Sequence, residues 1–409
     1  MPHSNGLRVN RNFTKYWIGQ SVSMLGSNMS LLAFPLLVLS MDGSTAQVGL
    51  IATSSQLTRL LLRLPAGHVA DMVSPRLLMI TADLIRLAAL GSIPLVAGLA
   101  ALGYPHLLVV ATVEGAATAV SRSASSVIIA NIVASEDLAA AFGREHASMA
   151  AALLSGPFLG GVLFAVDPIL PFTVDAASYA TSAALLLWMT AGHTVTGSSS
   201  TGDTGQDRSP LAGLRWLSGQ RPLLRVLAFA MVFNLIAASA EVAVIVALRA
   251  NASASPVVGV VMASAGVGAV IGSLLASRVI KAVRPGVLFV AVGTAWAIGA
   301  VVFSTSASPW VVGPALALLM TLTPSAGITI SRCIVGMTPR ELLGRVRAAT
   351  DVPMSGLAAL GPLLTGLAVG VMGVPHTWLA LGAIALITTV VMGLPMLRLS
   401  AALTPARQG

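Results

Sequence analysis

The chain has 409 residues, of which only 9% are charged, against roughly a quarter in an ordinary soluble domain. AVILMFWYC residues make up 56% and glycine adds 39 more, far more apolar surface than soluble cores of this length hide from water, so a soluble enzyme is excluded. The net charge of +9 is scattered singly between apolar runs rather than gathered on a polar face, which argues against nucleic acid and for a membrane protein.

A bilayer core about 30 Å thick takes roughly 20 mostly apolar residues per helix. Runs of that kind are predicted at 13–40, 46–70, 76–101, 105–130, 143–166 and 170–190, then at 223–248, 256–280, 286–304, 309–334, 344–371 and 375–397. The first is too long for a secretory h-region and no A-x-A site follows it, so it is read as a membrane span. With twelve spans both termini share one side. That side carries 17 Lys/Arg and the opposite loops carry one, Arg249, which predicts cytoplasmic termini. Arg59, Arg63, Arg86, Arg122 and Arg332 fall inside spans.

The stretch 193–222 reads as a cytoplasmic linker, polar and rich in Gly and Ser at its start, between bundles at 1–192 and 223–409. The halves echo each other at an offset of 205. Gly156-Pro157-Phe158-Leu159-Gly160-Gly161 recurs as Gly361-Pro362-Leu363-Leu364-Thr365-Gly366, and Gly67 maps onto Gly272. Parallel repeats imply two similar six-helix bundles, so the fold class is an all-α membrane protein.

The loop Gly67-His68-Val69-Ala70-Asp71-Met72-Val73-Ser74-Pro75-Arg76 resembles the signature G-x-x-x-D-(R/K)-x-G-x-(R/K) of the major facilitator superfamily, with Met72 and Ser74 departing from it. Gly156 to Gly161 resembles the G-P-x-x-G-G antiporter signature, associated in that family with exporters. Phe172-Thr173-Val174-Asp175-Ala176-Ala177-Ser178-Tyr179, Gly213-Leu214-Arg215-Trp216 and Pro222-Leu223-Leu224-Arg225 are similar to the branch of macrolide efflux proteins and the enterobactin exporter. The resemblance implies the major facilitator fold, with helices one, four, seven and ten lining a central cavity.

On that basis Gly67, Asp71 and Arg76 are expected to form a conformational latch, Gly67 letting helix ends approach and Asp71 binding a helix N-terminus or an arginine. Gly156, Pro157, Gly160, Gly161, Gly361 and Pro362 are expected to act as packing points and hinges. Burying an unpaired ion in a membrane costs at least ~2.5 kcal/mol, so each intramembrane charge needs a partner or water. Asp83 and Arg86, with Arg122 at similar depth, are expected to form an intramembrane ion pair, while Arg59 and Arg63 are expected to snorkel. Glu114 and Glu241 have no basic residue one turn away and are the expected proton-coupling or substrate-binding acids, with Gln20, Ser23, Asn28 and Asn234 as neutral contacts. Relatives of this branch often carry Asp after the glycine of helix one, where this chain has Gly26-Ser27, which places more weight on the two glutamates.

No metal-ligand spacing, P-loop or catalytic constellation is found, and the lone Cys333 forms no disulfide, so no cofactor, metal or enzymatic activity is expected. The function predicted is a monomeric exporter of a small organic molecule, such as an antibiotic, toxic metabolite or siderophore, by proton antiport with alternating access. Its partners are that substrate, protons and the lipid of a bacterial inner membrane. An importer or facilitator of the same fold is the alternative, and a non-transporting sensor or membrane enzyme a distant one.

Overall fold

The computed structural model describes residues 10–190, 212–339 and 342–398, and among them there is no β-strand. The helices are α1 (Arg11–Ser40), α2 (Thr45–Leu61), α3 (Arg63–Met72), α4 (Pro75–Gly98), α5 (Tyr104–Ile132), α6 (Leu138–Val166) and α7 (Leu170–Leu187). They continue as α8 (Ala212–Ser218), α9 (Arg221–Ala250), α10 (Ser255–Ala282), α11 (Pro285–Thr305), α12 (Pro309–Met337), α13 (Leu343–Thr388) and α14 (Leu394–Arg398).

Local chemistry sets their starts. Asn10 accepts from Phe13 N, Ser44 and Gln47 form a reciprocal capping box, and Ser74 accepts from Leu77 N. Proline occupies the first turn of α4, α5, α7, α9, α11 and α12, where its missing N–H costs nothing.

Ten helical segments are long and apolar enough to cross a membrane, two fewer than the expected twelve spans. The difference has two causes. The second span is broken at Leu62 into α2 and α3, while α13 runs through both final spans. Gly373, at φ 79 and ψ 167, is non-helical and divides α13 into two passes. Counted this way, the described residues make twelve passes.

Helix bounds correct the repeat. α1 and α9 begin and end 210 residues apart, α2 and α3 together match α10 at the same offset, and α4 and α11 start at Pro75 and Pro285. From α5 and α12 onward the offset is 205, because the third helix of the second half and its following loop are shorter together. The offset is therefore not constant. Gly67 corresponds to Ser277, not to Gly272, while Gly156-Pro157 and Gly361-Pro362 keep their correspondence. The loops after α1 and α9 close alike: Asp42 (φ 57) and Ala252 (φ 56) turn left-handed, and Gly43 N and Ser253 N reach back to Val38 O and Leu248 O.

The chain forms two compact units, residues 1–201 with 254–263 and residues 202–253 with 264–409. Much of the expected linker, residues 193–211, lies outside the described residues, but its last part is helical: α8 buries Leu217, so the second unit is structured before residue 223. At one end of unit 1, Phe13, Tyr16, Met79, Ile129 and Leu186 pack together. In unit 2, Phe229 contacts Phe233 and Phe289, and Phe303 packs on Trp378.

Candidate functional site

Glu114 lies in α5, ten residues from its start. Ser55 Oγ donates to its Oε2 at 3.1 Å, Thr118 Oγ1 donates to its Oε1 at 2.7 Å, and Arg59 Nη2 stands 3.6 Å from Oε2. Arg59, expected to snorkel, instead reaches across from α2. The backbones come close because residue 115 is glycine: a Cβ there would stand 2.3 Å from Ser55 O. The Glu114 side chain keeps 15% of its surface exposed, so it is held in place yet reachable. Arg59 Nε is buried without a partner, and Arg122 is exposed.

A second polar cluster fills the seam of α1, α4 and α7 in the same unit. Arg86 Nη2 donates to Asp83 Oδ1 at 2.7 Å, with both residues buried. The Arg86 guanidinium lies 4.5 Å over the Tyr179 ring, a cation–π contact that helps offset its desolvation. Arg122 makes no ion pair with Asp83 among the described residues, so the expected three-residue group reduces to Asp83 and Arg86. Tyr179 OH and Ser27 Oγ are 2.8 Å apart, and because Ser27 gives its proton to Ser23 O, the tyrosine is the donor. Gln20 Nε2 donates to Ser182 Oγ at 3.1 Å. Gln20 and Ser23 are thus buried within the helix seam of unit 1.

Sequence reasoning passed over Asp175. It lies five residues into α7 and is buried against Gly26, where a Cβ would stand 2.5 Å from Asp175 Oδ1. Ser178 Oγ donates to Asp175 O at 2.7 Å and approaches Oδ1 at 3.2 Å. The signal available was its place inside a span, the criterion that singled out Glu114.

Glu241 lies in the last third of α9 between buried Ala240 and Val242, and has no hydrogen-bond or ion-pair partner among the described residues. Asn234 is exposed on the same helix. Asn28 bonds back to Met24 O at 2.8 Å, and its Cβ meets the face of α6 at Gly156.

That face packs through its glycines. Cβ atoms at Gly156 and Gly160 would lie 2.4 Å from Asn28 Cβ and 2.7 Å from Met29 O, and one at Gly161 would lie 2.5 Å from Ser255 O, in the first turns of α10 that cluster with unit 1. In unit 2, Gly361 meets Leu235 O at 2.8 Å by the same measure. α6 runs unbroken through Pro157. The latch residues are less closely engaged: a Cβ at Gly67 would meet nothing within 4 Å, contrary to the expected close approach, and the Asp71 side chain lies outside the described residues. Arg76 donates to Leu186 O and Leu187 O at 2.8 and 2.7 Å and so caps the end of α7. Among the described residues no cluster of His, Cys, Asp and Glu could hold a metal ion.

A family model described as transmembrane secretion effector matches residues 7–405. The multidrug efflux pump Tap of Mycobacterium tuberculosis is 29% identical over 163 residues, 38% of this chain; the match spans about two-fifths of that relative, 39% of its length. A bacterial homologue of the lysosomal transporter Spinster, solved inward-facing and unoccupied, superposes with a TM-score of 0.77 at 14% identity, covering 98% of this chain and all of its own, 100%. The nucleoside transporter NupG superposes with a TM-score of 0.76 at 11% identity, covering 95% of this chain and 99% of its own. Likeness at such identities is one of fold.

Proposed function

Since the chain belongs to the transmembrane secretion effector family of major facilitator superfamily transporters, a multi-pass membrane protein rather than an enzyme, we propose that it exports a small amphipathic organic molecule by proton antiport. The observation that carries the coupling is the pair of intramembrane acids. Glu241 has no counter-charge among the described residues, and Glu114 is held by two hydroxyls and one arginine while remaining partly exposed. A carboxylate in a poorly hydrated segment holds a proton until its solvation changes, which is the property a proton-driven carrier uses when it opens to one face of the membrane and then the other. The outward direction draws support from the similarity to Tap, a multidrug efflux pump. Neither acid has a counterpart in the other half: Glu114 aligns with Leu319 and Glu241 with Leu31, so the scaffold is duplicated and the acids are not.

The residues proposed to handle substrate and protons are Glu114 and Asn28 in unit 1 and, separately, Glu241 and Asn234 in unit 2, in a monomer seated in a bacterial inner membrane. The test is expression in an efflux-deficient host against a panel of antibiotics and metabolites, followed by transport in proteoliposomes under an imposed pH gradient. Glu114→Gln and Glu241→Gln are expected to abolish gradient-driven transport, with Glu241→Gln retaining substrate counterflow. Full resistance in both variants, or wild-type transport without any pH gradient, would overturn proton antiport.

A further inference from the structure

The seam of α1, α4 and α7 holds two buried carboxylates and one guanidinium. Asp83 is paired with Arg86 at 2.7 Å. Glu114, the other acid bearing on Asp175, has Arg59 at 3.6 Å. Asp175 has neither. Its Oδ2 and Ser30 Oγ on α1 are both buried, and neither makes a hydrogen bond of good geometry, although Ser30 is near enough to interact with the Asp175 carboxyl.

The groups around Asp175 can be taken element by element. α1 presents Gly26 and Ser30, and its own charges, Arg11 and Lys15, lie in its first turns at the far end. α4 presents the Asp83–Arg86 pair, and α7 itself adds Ser178 and Tyr179. α6 carries Arg144, Glu145 and His146 near its start, whereas Asp175 sits near the start of the antiparallel α7. The one cation beside Asp175 is Arg86, already paired with Asp83, so two carboxylates share a single guanidinium and the seam is neutral only when it carries one proton. A hydrogen bond between Oδ2 and Ser30 Oγ would satisfy both atoms in either state: the ionised acid accepts from Ser30, and the protonated acid donates to it.

We propose that Asp175 is a proton-binding group and that this seam is a proton site of unit 1, separate from the hydroxyl cradle of Glu114. Its part in transport rests on the proton-antiport reading, but its occupancy does not. Binding forms one O–H bond on Asp175 Oδ2 with a proton taken from water, and release returns that proton to water; no other bond changes. Asp175 is about 8 Å along the axis from the start of α7, so the distance to water at that end is short.

The experiment is infrared spectroscopy of the purified full-length protein in lipid nanodiscs at neutral pH, without substrate, as a difference between wild type and Asp175→Asn. The expected difference is loss of one protonated-acid carbonyl band, which shifts in deuterium oxide. Loss of ionised-carboxylate bands instead would overturn the proposal. Asp83→Asn should also remove the acid band, because Arg86 is then released to pair with Asp175. Should Asp175→Asn not give monodisperse protein, Ser30→Ala decides: the acid band moves to higher frequency if Asp175 donates to Ser30, and an unmoved band refutes the assignment. Since the spectrum reads a bound proton and not flux, an acid band in a protein whose transport ignores pH would overturn the antiport reading and leave this one standing. The converse result separates them equally well.

Discussion

Gly26 and Asp175 fit each other at atomic range. A methyl group on residue 26 would stand 2.5 Å from Asp175 Oδ1, 2.6 Å from Ser178 Oγ and 3.1 Å from the Asp175 Cα, so neither a side-chain rotation nor a small shift relieves it. At Gly19, one end of the same seam, the nearest atom is 3.2 Å away. Overpacking a filled core costs about 1–3 kcal/mol, so Gly26→Ala is expected to lower the apparent melting temperature in detergent clearly more than Gly19→Ala does; equal effects would show that α1 and α7 can separate freely. The same pair shows why Asp175 was hard to read. Five residues into a helix, an acid looks like an end charge stabilised by the helix dipole, and its burial depends on α1 and α4, which are distant in sequence. Gly26-Ser27 was read as the loss of an acid, yet a carboxylate does stand against Gly26, delivered by α7. Glu114 was legible as an intramembrane acid, but its counter-ion was not, because Arg59 belongs to another helix and a span-by-span reading finds only partners on the same one.

Helices meet through glycine in both halves, though not always at matching places. Gly115 of α5 admits the backbone of α2, whereas in unit 2 the glycines sit on α10, where Gly268 and Gly272 admit Ala317 O and Thr321 O of α12. The contact is retained and the helix that supplies the glycine is exchanged. That exchange explains why Gly67 and Gly272 looked equivalent at one offset: small residues are frequent in membrane helices, and a single match of type says nothing about facing. The Gly-Pro repeat was more secure because two different residues matched at once, and its two glycines do pack on the first long helix of their own unit, α1 and α9. Substitution separates packing from switching. Gly156→Ala should lose folded yield, since its Cβ would lie 2.4 Å from Asn28 Cβ. Gly67→Ala, with open space around it, should be at least as stable as wild type, because alanine in a helix is favoured over glycine by about 1 kcal/mol. If Gly67 serves the latch in another conformation, the stable Gly67→Ala protein will transport more slowly in proteoliposomes; unchanged transport removes it from the latch.

At the scale of the whole chain, the few charges that exclude a soluble fold also specify how the protein is threaded. The side holding both termini has 17 Lys/Arg and the other side has one, Arg249. Moving cationic loops across the membrane is disfavoured, so this asymmetry predicts that both termini lie in the cytoplasm. The helix bounds then assign each turn. On that prediction α1 would lead outward, α2 and α3 would return at Met72, α4 would lead outward to residues 99–103, and by the same alternation 306–308 after α11 would be external. The protein carries its own labelling background, for its one cysteine, Cys333, is buried with 2% of its surface exposed. In a Cys333→Ser background, Ala101→Cys and Ser308→Cys occupy exposed positions in the turns predicted to be external, and Met72→Cys replaces a residue 74% exposed at the opposite ends of the helices. A membrane-impermeant maleimide added to intact cells is expected to modify Ala101→Cys and Ser308→Cys, and to reach Met72→Cys only after permeabilisation. The reverse pattern would mean that the charge asymmetry does not set the orientation. It would also invert the direction of every transport assay, because inside-out vesicles would then present the outer ends of α4 and α11.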